Sequence, residues 1–318
     1  MKWKKLGKIF DPSEHDLPGN CFGFAQAPQA LVLDDRVRIY FSTREQDQVG
    51  KFLSHISFVD FDLNLSSILG LSTQTVIPLG SLGTFDEHGI FPIHVTQIEG
   101  RILAYTTGWN RKISVPADAA IGFAESNDKG LTFDKLGNGP VLASSLHEPF
   151  LVGDAYVLKH DDLYHMWYIF GSRWIRSSDA VQPERVYKIA HATSCDGVSW
   201  ERSGLEIIPV HLDENECQAL PTVFFWKGRY HMYFCYRDAF GFRTNKNNAY
   251  RLGYAYSNDL ITWVRDELSC GIRPSKEGWD SEMQCYPNAF SLNDQIYLLY
   301  NGNEFGRTGF GLAVLEGD

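Results

Sequence analysis

The sequence lacks most of the patterns that mark a specialised class of protein. No apolar run approaches the 18 residues that a membrane span needs, so we expect no membrane span. Residues 1–8 are basic but lead into Asp11 and Pro12 without the apolar segment of a secretory signal, which predicts a cytoplasmic location. The six cysteines form no CxxC pair and no metal spacing, so we expect reduced, mostly buried thiols.

Positive charge and helical periodicity are also scarce. The formal net charge is -10, and nucleic-acid affinity depends on clustered Lys and Arg, so we expect no nucleic-acid partner. No window keeps a helical period, which argues against helical bundles and doubly wound α/β folds. Aromatic residues, in contrast, reach 14% of the chain and favour sheets and surfaces that stack on sugars or bases.

A two-strand pattern repeats five times along the chain. Each copy begins at a Pro or Asp, alternates apolar and polar residues through a polar turn, and ends in Tyr or Trp. The copies begin 62 to 67 residues apart and cover residues 28–40, 92–105, 154–167, 221–233 and 287–300. Alternation divided by pairs such as Asp-Asp or Lys-Gly predicts a β-hairpin in each copy.

Two further strands follow most of these hairpins. The third has a small residue at its centre, as in Ile189-Ala190-His191, and the fourth carries an aromatic residue, as in Ser199-Trp200-Glu201. The fifth unit stops after its third strand, and residues 3–8 resemble the missing fourth. We therefore predict an all-β, five-bladed β-propeller with four-stranded blades. Its ring is closed by the N-terminal strand, and residues 1–318 form a single domain.

In a propeller, the residues before each innermost strand and after each second strand converge at one mouth of the channel. Acids there, interleaved with aromatic and Arg side chains, suit a polyhydroxylated ligand. The predicted catalytic acids are Glu87, Asp154, Glu216 and Glu282. The predicted substrate-binding residues are Arg44, Asp86, His88, Trp109, Glu148, Arg173, Trp174, Arg237, Asp280, Tyr286, Asn303 and Arg307. The alternative is structural: the acids cap strands, hold loops or pair with neighbouring arginines.

The turns into the fourth strands resemble a known family. Residues 126–133, 194–200 and 257–263 look like the S-x-D-G-x-x-W outer-strand motif of the five-bladed glycoside hydrolases of families 43, 32 and 130. The resemblance implies acids on different blades, and Asp154 lies where the family has its second Asp, with Ala155 in place of a proline. Ala27, after Gln26, stands where the first-blade Asp is expected, and Ala219 where the general acid is expected. Glu216 and Cys217 look like the Glu-Cys pair of family 32, displaced by three residues.

These residues leave several functions open. The first hypothesis is a glycosidase or phosphorylase that acts on a small oligosaccharide or glycoconjugate, by inversion, retention or phosphorolysis. The second is a propeller that serves the biosynthesis of glycans or glycolipids, and the third is a non-catalytic carbohydrate-binding propeller. We expect no cofactor and no metal ligands, although the resemblance leaves room for a structural cation beside a histidine in the channel.

Overall fold

The computed structural model describes residues 1–176 and 182–317. This part of the chain forms twenty β-strands and three short 3-10 turns (Pro12–Glu14, Glu267–Ser269 and Asn303–Gly306), with no α-helix. It therefore contains no helix with the length and hydropathy of a membrane span. The all-β class predicted from the sequence is confirmed.

The strands fall into five groups of four. The chain begins with β1 (Trp3–Phe10). Group 1 is β2 (Phe22–Val32), β3 (Val37–Gln46), β4 (Phe52–Phe61) and β5 (Ile68–Leu71). Group 2 is β6 (Gly89–Ile98), β7 (Arg101–Arg111), β8 (Ala117–Ser126) and β9 (Asp134–Lys135). Group 3 is β10 (Val152–His160), β11 (Leu163–Ile175), β12 (Glu184–Ser194) and β13 (Glu201–Arg202). Group 4 is β14 (Cys217–Trp226), β15 (Arg229–Arg237), β16 (Arg251–Ser257) and β17 (Val264–Arg265). Group 5 is β18 (Cys285–Leu292), β19 (Gln295–Asn301) and β20 (Phe310–Leu315), completed by β1.

Each group is an antiparallel meander in chain order, except that group 5 takes its fourth strand from the N-terminus. β1 pairs with β20 from Trp3 opposite Leu315 to Phe10 opposite Phe310, the pairing that the sequence predicts. Groups 1 and 2 are joined into one sheet by a single parallel residue pair, Ser54 opposite Gly89.

The first strands of the five groups contact one another in cyclic order, and β18 lies against β2. A belt of polar side chains links them at equivalent positions. His94 contacts Gln29 Oε1 through Nδ1 (3.4 Å) and the Val157 carbonyl through Nε2 (3.0 Å). The Tyr156 hydroxyl donates to the Val223 carbonyl (2.7 Å), the Ala289 N–H donates to Thr222 Oγ1 (3.0 Å), and the Ala30 N–H donates to Asn288 Oδ1 (2.9 Å). The belt satisfies polar groups that would otherwise be buried without partners.

The Ser-x-Asp segments of the outer-strand motif build the turns between third and fourth strands. In group 3, Ser194 Oγ bonds to Asp196 Oδ1 at 2.9 Å, and Asp196 accepts the N–H groups of Val198 and Ser199. The equivalent Asp259 of group 4 has its pKa lowered to about 2 because the Thr262 and Ile261 N–H groups favour its charged form. The motif that carries the family resemblance is therefore structural in these two turns.

Candidate functional site

A β-bulge recurs in every first strand and shapes the floor of the candidate site. The pairing of each first strand with its neighbour shifts at this point, and Ala27, Asp154, Leu220 and Tyr286 have positive φ angles of 47–56°. In three of these strands, a proline follows the positive-φ residue, and a bulge tolerates proline because the ladder is already interrupted. Such backbone conformations cost energy in non-glycine residues and concentrate at functional sites.

The bulges border a cavity of about 360 Å³ to which all five groups contribute. This volume lies in the range of small-molecule binding sites. The side chains that matter below are Gln26, Arg44, Ser54, Phe91, Thr107, Trp109, Asp118, Asp154, Arg185, Tyr187, Ala219, Tyr250 and Tyr286. Of the three positions that the resemblance assigns to acids, Asp154 and Ala219 line the cavity, as does Gln26 beside the third position, Ala27. Only Asp154 among these residues is ionisable.

Asp154 is a buried carboxyl group without an ion-pair partner among the described residues. Its carboxylate accepts the Leu220 N–H at 3.2 Å, and its own N–H donates to Thr107 Oγ1 at 2.7 Å. Burial raises its pKa to about 7, against the smaller lowering effects of the Leu220 N–H and the Arg185 charge. A carboxyl group with this pKa carries its proton for much of the time near neutral pH, which is what a general acid requires.

Ser54 positions two side chains of the cavity wall. Its hydroxyl oxygen accepts hydrogen bonds from Arg44 and, at 3.0 Å, from Trp109 Nε1. The Arg44 guanidinium also lies 5.2 Å from the centre of the Phe91 ring. Burial lowers the pKa of Arg44 to about 10, so this residue is still charged at neutral pH.

The third strands of groups 3 and 4 complete the opposite wall. Arg185 and Tyr187 lie in β12, and Tyr250 directly precedes β16. The Tyr187 and Tyr250 hydroxyls are hydrogen-bonded to each other. Arg237, which is 2% exposed, donates to the Tyr187 hydroxyl at 2.9 Å from behind this wall.

Four of the predicted acids hold the sheets together instead. In groups 2 to 5, a buried acid before the first strand forms an ion pair with a basic residue of the fourth strand, an arrangement we call the outer-strand latch. The latches are Asp86–Lys135 (2.5 Å), Glu148–Arg202 (2.5 Å), Glu216–Arg265 (2.6 Å) and Asp280–Lys5 (2.5 Å). Group 1 has no counterpart because β5 contains no Lys or Arg. These four acids thus fit the structural alternative, in which an acid pairs with a neighbouring basic residue. Glu216 is paired in this way and Asp154 is not.

The remaining predicted residues divide between the cavity and the surrounding loops. Arg44, Trp109 and Tyr286 line the cavity, Arg237 lies behind it, and the His88 ring stacks on Trp109 with centroids 6.0 Å apart. The loop residues are Glu87, which accepts the Gly83 N–H; Glu282, which is exposed; Arg173, which bonds to Asn215; Trp174, beside a second cavity; Asn303, which accepts the Glu282 N–H; and Arg307, beside a third cavity. Glu87, Glu216 and Glu282 therefore do not join Asp154 in one cavity, and their catalytic role stays a prediction without geometric support.

Sequence reasoning missed Ser54, Arg185, Tyr187 and Tyr250. It looked at the ends of second strands and the approaches to first strands, whereas Arg185 and Tyr187 lie near the start of a third strand and Tyr250 just before one. The signal was weak, because Arg185 and Tyr187 flank the apolar Val186 but their outer neighbours, Glu184 and Lys188, are charged. The beginnings of third strands belong on the same side of each group as the ends of second strands.

No group of three or more His, Cys, Asp or Glu side chains in the described residues is arranged to hold a metal ion. His94, a member of the polar belt, has its pKa lowered to about 4 by burial and is neutral at pH 7. Both of its ring nitrogens contact protein oxygens. The belt thus accounts for this histidine without a cation.

Solved structures of carbohydrate-active enzymes share this fold. One match is a structure from the GH130 family of mannoside phosphorylases, which contains glycoside hydrolases that target β-1,2 mannosidic linkages. Its TM-score is 0.72, with 14% identity over 99% of this chain and 93% of that one. The β-1,2-mannobiose phosphorylase from Listeria innocua matches with 0.70 and 12% over 99% and 96%. A thermostable family-43 glycoside hydrolase matches with 0.65 and 12% over 95% and 92%. The chain therefore shares the fold of these glycoside hydrolases and phosphorylases, which is the fold that the outer-strand motif implies.

At the level of sequence, the relatives are mycobacterial. The chain is 34% identical over 317 residues to the uncharacterized protein Rv1502 of Mycobacterium tuberculosis strain H37Rv, and this match covers 99% of the chain and all of the relative. The same values hold for uncharacterized protein MT1551 of strain CDC 1551. No protein-family model matches the chain. The chain belongs to the family of Rv1502.

Proposed function

We propose that this protein is a carbohydrate-active enzyme that cleaves or transfers a glycosidic bond, with Asp154 as its general acid. The observation that carries the proposal is the state of Asp154: among the described residues it combines burial in a shared cavity, a pKa near 7 and the lack of an ion-pair partner. The likeness to glycoside hydrolases and phosphorylases in fold supports the same class of reaction, by analogy only.

The proposal includes the architecture. We infer that the five strand groups are the blades of a five-bladed propeller and that the chain acts as one domain. The cyclic contacts of the first strands and the polar belt support this inference. In such an arrangement, the cavity lies at one mouth of the channel, where residues far apart in the chain meet.

In the proposed reaction, the Asp154 carboxyl group donates its proton to the glycosidic oxygen as the bond from that oxygen to the anomeric carbon breaks. The leaving group departs as an alcohol, and a nucleophile attacks the anomeric carbon. Asp154 then regains a proton from solvent. General acid catalysis of this kind contributes roughly 10²- to 10⁴-fold to the rate.

Two nucleophiles fit the cavity. Water needs a second carboxylate as base, and the other carboxylate that lines the cavity is Asp118, which is half exposed and lies 3.4 Å from Lys112 Nζ. Phosphate is already an anion and needs no base, and the arginines Arg44 and Arg185 suit it. Phosphorolysis therefore requires only Asp154 and the two arginines, whereas hydrolysis also requires Asp118 as a base.

The walls of the cavity suit a small carbohydrate or glycoconjugate. Trp109, Phe91 and Tyr286 offer aromatic surface for the C–H face of a sugar ring. Gln26 Oε1 has no hydrogen-bond partner among the described residues and can accept a hydrogen bond from a sugar hydroxyl group. The cytoplasmic location and the absence of a cofactor remain part of this proposal.

The test is a screen of glycosides and of sugar 1-phosphates, each with and without inorganic phosphate, using the full chain. Turnover that requires phosphate supports the phosphorylase form, and release of free sugar without phosphate supports the hydrolase form. Asp118→Asn is the matched variant, because it should abolish hydrolysis and leave phosphorolysis within a few-fold. Binding of sugars with no turnover of any of them would contradict the proposal and favour a carbohydrate-binding propeller.

A further inference from the structure

Three arginines lie in or directly behind the cavity wall, against the two carboxyl groups of Asp118 and Asp154, in a protein whose formal net charge is -10. Arg44 and Arg185 line it, and Arg237 lies directly behind its tyrosine wall. Among residues 1–176 and 182–317, no carboxylate oxygen lies within the 4.0 Å ion-pair distance of these three guanidinium groups. The basic residues of the outer-strand latches, in contrast, all have acidic partners.

Arg237 is the least expected of the three because it is a fully buried cation without an anionic partner. Its side chain donates to the Asp238 carbonyl at 2.7 Å and to the Tyr187 hydroxyl at 2.9 Å, and the guanidinium lies 3.5 Å from the centre of the Phe242 ring. Its Nε–H has no partner among the described residues. Burying a charge without an anionic partner costs several kcal/mol, and the hydrogen bonds to neutral oxygens offset only part of that cost.

The tyrosine pair carries the influence of Arg237 into the cavity. The Tyr187 oxygen accepts a hydrogen bond from Arg237, and either hydroxyl can be the donor in the Tyr187–Tyr250 hydrogen bond. When Tyr187 is the donor, the Tyr250 hydroxyl hydrogen is available to a ligand in the cavity. Chains of hydrogen bonds polarise one another, and a cation at one end strengthens the donor at the other. Such a chain favours a ligand that bears negative charge.

We propose that the cavity is an oxyanion site. A phosphate or a sugar carboxylate binds between Arg44 and Arg185, and Arg237 strengthens the site as a positioning residue through Tyr187 and Tyr250. The inference rests on the proposed function only in locating the ligand in the same cavity. Two sources supply this chemistry: free inorganic phosphate as a co-substrate, and an acidic group on the sugar itself.

The experiment is isothermal titration of the full chain with three probes: inorganic phosphate, glucuronate and glucose 1-phosphate, each against sodium chloride at equal ionic strength. We expect saturable binding of at least one probe. Losing a hydrogen bond to a charged group weakens binding about ten- to hundredfold, the expected effect of Arg185→Gln. Tyr250→Phe, which keeps the ring and removes the last donor, should weaken it about two- to tenfold.

The control is Arg101→Gln, which removes an exposed arginine paired with Glu125 and should leave the dissociation constant unchanged. Tyr187→Phe tests the connection to Arg237 without removing the buried guanidinium, and should match Tyr250→Phe. Circular dichroism and the melting temperature of each variant show whether it is folded. A dissociation constant that changes in Arg185→Gln but in neither tyrosine variant overturns the role of Arg237.

The three probes distinguish the sources. Binding of phosphate alone assigns the oxyanion to a co-substrate, whereas binding of glucuronate or glucose 1-phosphate without phosphate assigns it to the sugar. No binding of any probe, or binding that Arg185→Gln leaves unchanged, overturns the proposal. Asp154→Asn should retain oxyanion binding even though it loses turnover. If the original chain binds the anion but cleaves no glycoside, the proposed function is contradicted and this inference is supported.

Discussion

The carboxylates of the cavity and of the outer-strand latches come from similar places in the chain but have opposite surroundings. Asp154 and Glu216 both lie at or just before a first strand, and both are buried. Burial alone would raise the pKa of Glu216, but the hydrogen bond and charge of Arg265 outweigh it, and the pKa is lowered. Asp154 has no such partner, and its pKa rises to about 7.

This comparison teaches that position in the repeat does not decide the role of an acid. A carboxylate paired with a buried cation is held as an anion and contributes to stability, whereas an unpaired one in a cavity can exchange its proton. The fourth strand makes the difference, because the latch acids of groups 2 to 5 meet a Lys or Arg there. The following predictions test this division.

The largest effect is expected for Asp154→Asn. Because the amide cannot donate a carboxyl proton to the leaving oxygen, kcat should fall about 10²- to 10⁴-fold on the substrate found in the screen. KM should change little, since the amide keeps the size of the side chain. Steady-state kinetics of the purified variant measures both. A loss of less than threefold would show that Asp154 is not the acid and would remove the distinction between the two sets.

For Glu216→Gln, we expect loss of stability rather than of catalysis. The substitution leaves the buried Arg265 with Glu267 as its remaining acidic partner. Breaking a buried ion pair from one side costs about 3 kcal/mol in the free energy of unfolding. Urea unfolding measures the loss, and Glu125→Gln, in an exposed pair with Arg101, is the control at about 0.5 kcal/mol or less. A stable Glu216→Gln protein with no activity would reverse the assignment.

The latches also show what the sequence predicts and where it falls short. The five-fold repeat, the hairpins and the N-terminal strand in group 5 follow from local alternation, which a single sequence displays. The ion pairs were visible as well, since Lys5, Lys135, Arg202 and Arg265 each stand two residues after an aromatic residue in or directly before a fourth strand. Periodic acids need to be considered together with periodic bases before a catalytic role is assigned.

The cavity was harder to predict, for a physical reason. Its members are single residues on different strands, and their convergence depends on how the groups pack rather than on any local pattern. Arg185 and Tyr187 are spaced like other residues of a strand, and nothing in the sequence marks their proximity to Arg44. Two of the positions that the family resemblance assigns to acids, Asp154 and Ala219, line this cavity, and Gln26 lies beside the third, Ala27. The resemblance did not indicate that, among the described residues, Asp154 is the one buried acid that lines the cavity.

A smaller effect is expected in the pH dependence of stability. The pKa of Asp154 is raised in the folded state from its ordinary value of 3.8 to about 7. The folded chain therefore binds more protons than the unfolded chain between these values, and the free energy of unfolding falls as pH rises from about 4 to 7. Asp154→Asn removes this dependence, so the variant should be more stable than the original chain above pH 7, by on the order of 1–4 kcal/mol.

Urea unfolding between pH 4 and pH 8 measures this difference. The two chains should approach each other toward pH 4, where Asp154 is protonated in the folded state and about half protonated in the unfolded state. Asp118→Asn, which changes a half-exposed carboxylate paired with Lys112, should show no comparable divergence. Parallel curves for the Asp154→Asn variant and the original chain would mean that Asp154 ionises normally and that its burial does not separate it from the latch acids.

The smallest effect is expected for Glu282→Gln, although the repeat places this acid beside the others. Its side chain is exposed, and the contacts of the residue are made by its backbone: the carbonyl accepts from Arg251 at 2.8 Å and the N–H donates to Asn303. Surface substitutions of this kind change stability by about 0.5 kcal/mol or less. We expect kcat/KM to stay within twofold in the assay that shows the loss in Asp154→Asn. A loss comparable to that of Asp154→Asn would mean that substrate draws the loop before β18 into the cavity. In the free protein, Glu282 has neither a latch partner nor a place in the cavity wall. The roles of the acids would then have to be assigned from the partners they have in the substrate complex.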